Sequence, residues 1–114
     1  MPGKEKQPSV VNIAQVNRLV EMVDYQAGAI VSKTLLEKKT GTLTLFAFDQ
    51  GQGLSEHTAP FDAFVYIIDG ESEVTISGKP YRLHTGEAIV MPASEPHALK
   101  AIERFKMMLV MIRS

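Results

Sequence analysis

The rhythm of apolar and polar positions changes once along this chain. From Asn12 to Val23, apolar residues fall at Ile13, Val16, Leu19, Val20 and Val23, close to a helical period, and Asn12 can cap the start. This predicts one short helix over about residues 12–23. After Gly28 the pattern becomes that of strands. Ala29–Lys38 and Gly41–Asp49 are β-rich runs separated by Lys39 and Thr40. Phe64–Asp69 and Glu71–Ser77 meet at Gly70, and Gly78–Leu83 and Glu87–Pro92 meet at a His-Thr-Gly turn. Two further runs, His97–Glu103 and Arg104–Ile112, complete the chain. Turn signals recurring every eight to twelve residues predict an all-β sandwich or barrel.

Several of these runs are apolar on both faces. Ala63, Val65 and Ile67 share one side of their strand, and Phe64, Tyr66 and Ile68 the other. Near the C-terminus, Phe105, Met107, Leu109 and Met111 lie opposite Met108, Val110 and Ile112. A small barrel has a single interior, so the second apolar face needs a cover: the N-terminal helix, another sheet or a partner subunit. A homodimer is the expectation for at least part of it.

Composition narrows the class. The 114 residues suit one domain, expected over residues 9–114 behind a polar, proline-containing tail at residues 1–8. A formal net charge of −1 favours neither nucleic acid nor an anionic membrane. No apolar run reaches the roughly 20 residues of a membrane span, and the start lacks the apolar core of a secretory signal, so a cytoplasmic address is expected. The chain has no cysteine, hence no disulfide, thiolate ligand or cysteine nucleophile. There is no phosphate loop, no G-x-S-x-G elbow and no basic stripe interleaved with aromatics.

What remains is a spacing of glycines and histidines. Gly51, His57 and Gly70, followed by Gly86, Pro92 and His97, resemble the two motifs of the cupin family, with fifteen residues between Gly70 and Gly86. The resemblance extends from about Gly41 to the C-terminus. It implies a double-stranded β-helix, or jelly-roll barrel, preceded here by the short helix. Four positions depart from the pattern. Ala59 stands where the first motif has its second histidine and Ala63 where it has glutamate; Ser94 replaces a glycine and Ala101 an asparagine. The family's usual first shell of three imidazoles and a carboxylate is thereby reduced to His57 and His97. A divalent transition metal held by these two alone is expected to bind weakly and with little selectivity.

Strand parity turns Glu56 and Asp62 away from the face of His57, so neither readily replaces the missing carboxylate. The two alanines instead leave space beside the imidazoles. The expected ligand pocket is lined by His57, Ala59, Ala63, Val65, His97, Phe46 and Met107, and suits a small, mostly apolar molecule with one polar group. Phe and Met at strand spacing also serve as plain core, and a lone loop histidine is commonly just solvated, as His84 is expected to be. Two functions from different classes follow: a small-molecule binding protein with an incomplete metal site, and a metal-dependent enzyme of dioxygenase or isomerase type working with the reduced His57/His97 site. No catalytic residue is assigned, because fold alone does not choose between them.

Overall fold

A computed structural model describes residues 14–113; the expected tail at residues 1–8 lies outside them. Seven strands form one antiparallel sheet: β1 (Ile30–Lys38), β2 (Gly41–Phe48), β3 (Gly53–His57), β4 (Asp62–Ile76), β5 (Lys79–His84), β6 (Ala88–Met91) and β7 (His97–Ile112). The two long strands β4 and β7 pair along almost their whole length, from Asp62 opposite Ile112 to Ile76 opposite His97. Each is flanked by two shorter strands. β2 and β3 follow one another along β7, β6 and β5 along β4, and β1 lies beyond β2. Among the described residues the hydrogen-bonded path runs from β1 to β5 and does not close on itself.

Gly70 is not the turn that its sequence context predicts. Phe64–Asp69 and Glu71–Ser77 are two parts of one continuous strand, and Gly70 lies inside it at φ +86°, between register shifts at Ile67/Asp69 and Gly70/Ser72. A Cβ built there would stand 2.0 Å from the Arg104 carbonyl oxygen, so only glycine permits this approach of β4 to β7. The bulged region also resets the alternation. Buried positions run Ala63, Val65, Ile67 before it and Ser72, Val74, Ile76 after it. Both halves of β4 therefore face inward, and their residues join one core with Leu83, Met91, Leu99, Ala101, Phe105 and Met107. Phe48 and Phe105 stack at its centre with rings 4.5 Å apart and 9° from parallel.

The helix expected over residues 12–23 is not formed within the described part of that span; residues 12 and 13 lie outside it. One 3-10 turn, Leu19–Glu21, interrupts an otherwise irregular segment, and Ala14 already has a left-handed φ of 62°. Three of the residues that suggest helical periodicity are valines, which favour helix poorly, and so short a helix is marginal without packing. Packing favours a different shape. Leu19, Met22, Val23 and Tyr25 lie along the outer face of the sheet against Leu35, Leu45, Ala47, Ile68 and Met108. Val16, which fits the helical pattern, is fully exposed. The N-terminal segment is thus a strap over the second apolar face, and that strap is the cover for part of it.

Candidate functional site

β3 has no counterpart among the strand runs expected from sequence. It is nonetheless what positions the first histidine. Gly53 pairs with Lys100 and Leu54 with Leu99; after a register shift, His57 stands opposite His97 at the start of β7. The ring Nε2 atoms are 3.2 Å apart, with ring centroids at 4.4 Å in an edge-to-face arrangement. His97 is buried, at 4% exposure, on the inward face that continues through Leu99 and Ala101; His57 is exposed at the mouth. Ile76 at the end of β4 flanks His97 on its other side.

Both rings are oriented by the backbone two residues earlier. Nδ1 of His57 lies 2.9 Å from the Ser55 carbonyl oxygen, and Nδ1 of His97 lies 3.2 Å from that of Glu95. A carbonyl oxygen only accepts, so each Nδ1 carries the hydrogen and each Nε2 of a neutral ring presents a lone pair. Two lone pairs facing one another at 3.2 Å repel. One proton shared as Nε2–H···Nε2, a hydrogen-bond donor from a ligand, or a cation relieves this repulsion. Burial, and secondarily the neighbouring His57 ring, push the His97 pKa below the usual histidine range, while its bond to Glu95 works in the opposite direction.

The other expected pocket residues are distributed unevenly. Ala63 is buried on the inner face opposite Met91 and Met111. Val65 and Met107 are completely buried in the core, and Phe46 packs against that core while partly exposed. Ala59 is half-buried, and its carbonyl oxygen accepts a 2.7 Å hydrogen bond from the Ser94 N–H, tying the loop after β3 to the loop before β7. Asp62 lies on the outer face, exposed, where one carboxylate oxygen accepts from the Ala93 N–H. Among the described residues no group of three or more His, Cys, Asp or Glu side chains converges in a way that could hold a metal.

A metal therefore fits this site only in part. Two nitrogens each about 2.1 Å from one ion stand roughly 3.0–3.4 Å apart at right-angled to tetrahedral geometry, a range that includes the separation of the two Nε2 atoms. The 3.2 Å spacing suits one edge of a coordination shell. Among the described residues no third or fourth protein donor joins the two rings.

Two further side-chain clusters lie away from the imidazoles. The Tyr25 hydroxyl donates to Asp69 at 2.6 Å, beneath the Arg104 guanidinium at 4.2 Å from the ring centroid, and buried Lys106 donates to the Val20 carbonyl oxygen at 2.6 Å. These contacts fasten the strap. Exposed His84 lies between Glu71 and Glu87 at 3.5 and 3.4 Å.

Comparison with known proteins agrees with the geometry. The sequence profile described as "Cupin domain" matches residues 44–113. A conserved protein of unknown function from Streptococcus pyogenes is 38% identical, with 93% of each chain covered and a TM-score of 0.89. A cupin 2 conserved barrel domain protein from Leptotrichia buccalis is 42% identical over 82% of this chain and 46% of its own, with a TM-score of 0.80. Protein SchB of Streptomyces halstedii is 27% identical over 73 residues, which are 63% of this chain. The chain spans 53% of that relative's length. No helix among the described residues is long and apolar enough to cross a membrane. With a family profile covering well over half of its residues, the chain belongs to the cupin family.

Proposed function

We propose that this cupin binds a small molecule beside His57 and His97, and that the two imidazoles serve as its polar recognition element. The observation carrying this reading is the 3.2 Å approach of two Nε2 atoms whose rings are both fixed by backbone carbonyls. Without a proton between them the pair offers a ligand two acceptors; a proton taken up there makes one ring an imidazolium, whose Nε2–H reaches a ligand only when it is not given to the other ring. A hydroxyl group answers either state, since it can donate and accept. The buried methyl group of Ala63 and half-buried Ala59 favour an apolar body on that ligand. The preferred ligand is thus a small alcohol, enol or phenol, bound by a protein acting in the cytoplasm as a homodimer.

The same spacing supports a second reading, a metal-dependent enzyme of dioxygenase or isomerase type in which His57 and His97 would hold a divalent cation that would supply Lewis acidity. Proton-detected ¹⁵N NMR of the imidazoles, with phenol and Zn²⁺ as separate probes, distinguishes the two. Phenol is expected to shift the Nε2 signals of both rings, and His97→Ala to abolish the effect. Zn²⁺ at micromolar concentration shifting both rings, with no response to millimolar phenol, favours the metal reading. Nδ1 found unprotonated in both rings removes the basis of either.

A further inference from the structure

The strap covers only half of the sheet's outer face. In the other half, one cross-strand row of apolar residues crosses five strands: Leu36 on β1 faces Leu43 on β2, Leu43 faces Val110 on β7, Val110 faces Phe64 on β4, and Phe64 faces Val90 on β6. The bulge between Thr34 and Leu36 separates two consecutive leucines by role: Leu35 is buried with the strap, and Leu36 is left in the row. Leu36, Phe64 and Val90 are 48%, 38% and 51% exposed, and Ile112 beside the row is 62% exposed. Five neighbouring strands carrying large apolar side chains to solvent form a continuous patch, not scattered exceptions.

The patch is neither flat nor symmetric about its middle strand. On one side of β7 a groove of about 320 Å³ is lined by Leu36, Leu43, Val110 and Ile112, with Lys38 at its end. Gly41 deepens it: no side chain fits there, because a Cβ would stand 2.5 Å from the Met111 carbonyl oxygen. On the other side of β7, one strand away, stands Phe64. A two-fold axis parallel to β7, between two such faces, exchanges left for right. It places Phe64 of each copy over the groove of the other, with the two Val110 residues meeting near the axis.

We propose that this face is the homodimer interface, with Phe64 of each copy seated in the Leu36–Leu43–Ile112 groove of the other. The proposal deepens the dimer proposed above and is independent of the pocket. Charge agrees with it. Lys38 and Asp62 lie in the next cross-strand row, at the groove side and the Phe64 side respectively, linked through Gly41 and Ile112. The same two-fold brings each Lys38 toward the Asp62 of the other copy. Charge and shape rather than area carry this assignment: five strands about 4.8 Å apart and the two rows clear of the strap, about 6.8 Å apart, give roughly 330 Å² in projection, against the about 600 Å² or more that a stable dimer takes from each partner.

The test uses the full chain and two exposed positions. Wild type is expected to sediment as a dimer at about 10 µM. Phe64→Asp and Leu36→Lys should each raise the dissociation constant at least about a hundredfold and sediment as monomers with unchanged circular dichroism. An equimolar mixture of the two variants should recover dimer, because the heterodimer sets the new aspartate against the new lysine and keeps one native contact. A monomeric wild type overturns both this interface and the dimer, and gives the face to residues 1–13 or to a different partner. A dimer that survives both substitutions, or a mixture that stays monomeric, overturns this interface alone. Neither outcome touches the His57/His97 reading.

Discussion

At the scale of single residues, the facing imidazoles of His57 and His97 are the candidate site's polar pair, and in the reading proposed above Ala59 and Ala63 line the space next to them. Replacing His57 or His97 by alanine removes one lone pair from the facing couple and relieves the repulsion between the rings. His57→Ala, at an exposed position, is expected to change unfolding free energy by less than about 0.5 kcal/mol while weakening any ligand held by both rings. Restoring polar donors gives the converse result. Ala59→His with Ala63→Glu should bind Ni²⁺ or Zn²⁺ far more tightly than the parent in calorimetric titration. The cost is stability, since Ala63 is buried and the new carboxylate is desolvated until an ion binds. Equal affinity in parent and double variant means that the parent already has its full ligand set. Ser72 gives a simpler test. Its side chain is completely buried and its hydroxyl oxygen meets no hydrogen-bond partner among the described residues. Ser72→Ala should therefore be neutral or stabilising by up to about 1–2 kcal/mol in urea unfolding, whereas a loss of stability reveals an internal partner.

At the scale of elements, glycine and the strap decide the shape. Gly70 combines a left-handed φ with a carbonyl oxygen where a Cβ would go, so Gly70→Ala should cost more than about 3 kcal/mol or prevent folding. Alternation made most strands legible, because each has one inward face. The continuity of β4 was not legible, since a bulge that preserves pairing looks in sequence like a turn that ends it. Nor was β3, whose residues Gly53–His57 are mostly exposed and carry no alternating apolar signal. The helix expected over 12–23 failed for a related reason: spacing records which residues seek an apolar surface, not the backbone path by which they reach it. The relation of His57 to His97 was legible through motif spacing, but the carbonyls of Ser55 and Glu95 that orient the rings leave no side-chain signature. The strap also has a pH signature. Burial, then the hydrogen bond to Asp69, push the Tyr25 pKa above its ordinary value of 10.0. The stabilisation is therefore full below pH 10 and is lost as pH rises above it, because the unfolded chain releases that proton first. Tyr25→Phe should flatten this alkaline decline and lower stability at neutral pH by about 1–2 kcal/mol.

At the scale of the whole molecule, folding and association are coupled if the outer face is buried only between two copies. Each chain alone then leaves Leu36, Phe64, Val90 and Ile112 in water, and the dimer is the more stable folded species. Unfolding of a dimer to two separate chains depends on total concentration. A tenfold increase adds about 1.4 kcal/mol per dimer, or about 0.7 kcal/mol per chain, which for a domain of this length raises Tm by about 3 °C. Differential scanning calorimetry between 5 and 500 µM should show that slope for the wild type and none for Phe64→Asp. Acid adds a second axis. The lowered pKa of His97 means that its contribution is present above the ordinary histidine value of 6.5 and declines as pH falls toward the folded value, because the unfolded chain takes up the proton first. This loss belongs to the inner site of each chain and not to the outer face. It should lower Tm of wild type and Phe64→Asp alike, leave the concentration slope of the wild type intact, and disappear in His97→Ala. A slope that vanishes with acid instead couples the imidazole pair to the interface, and contradicts their independence.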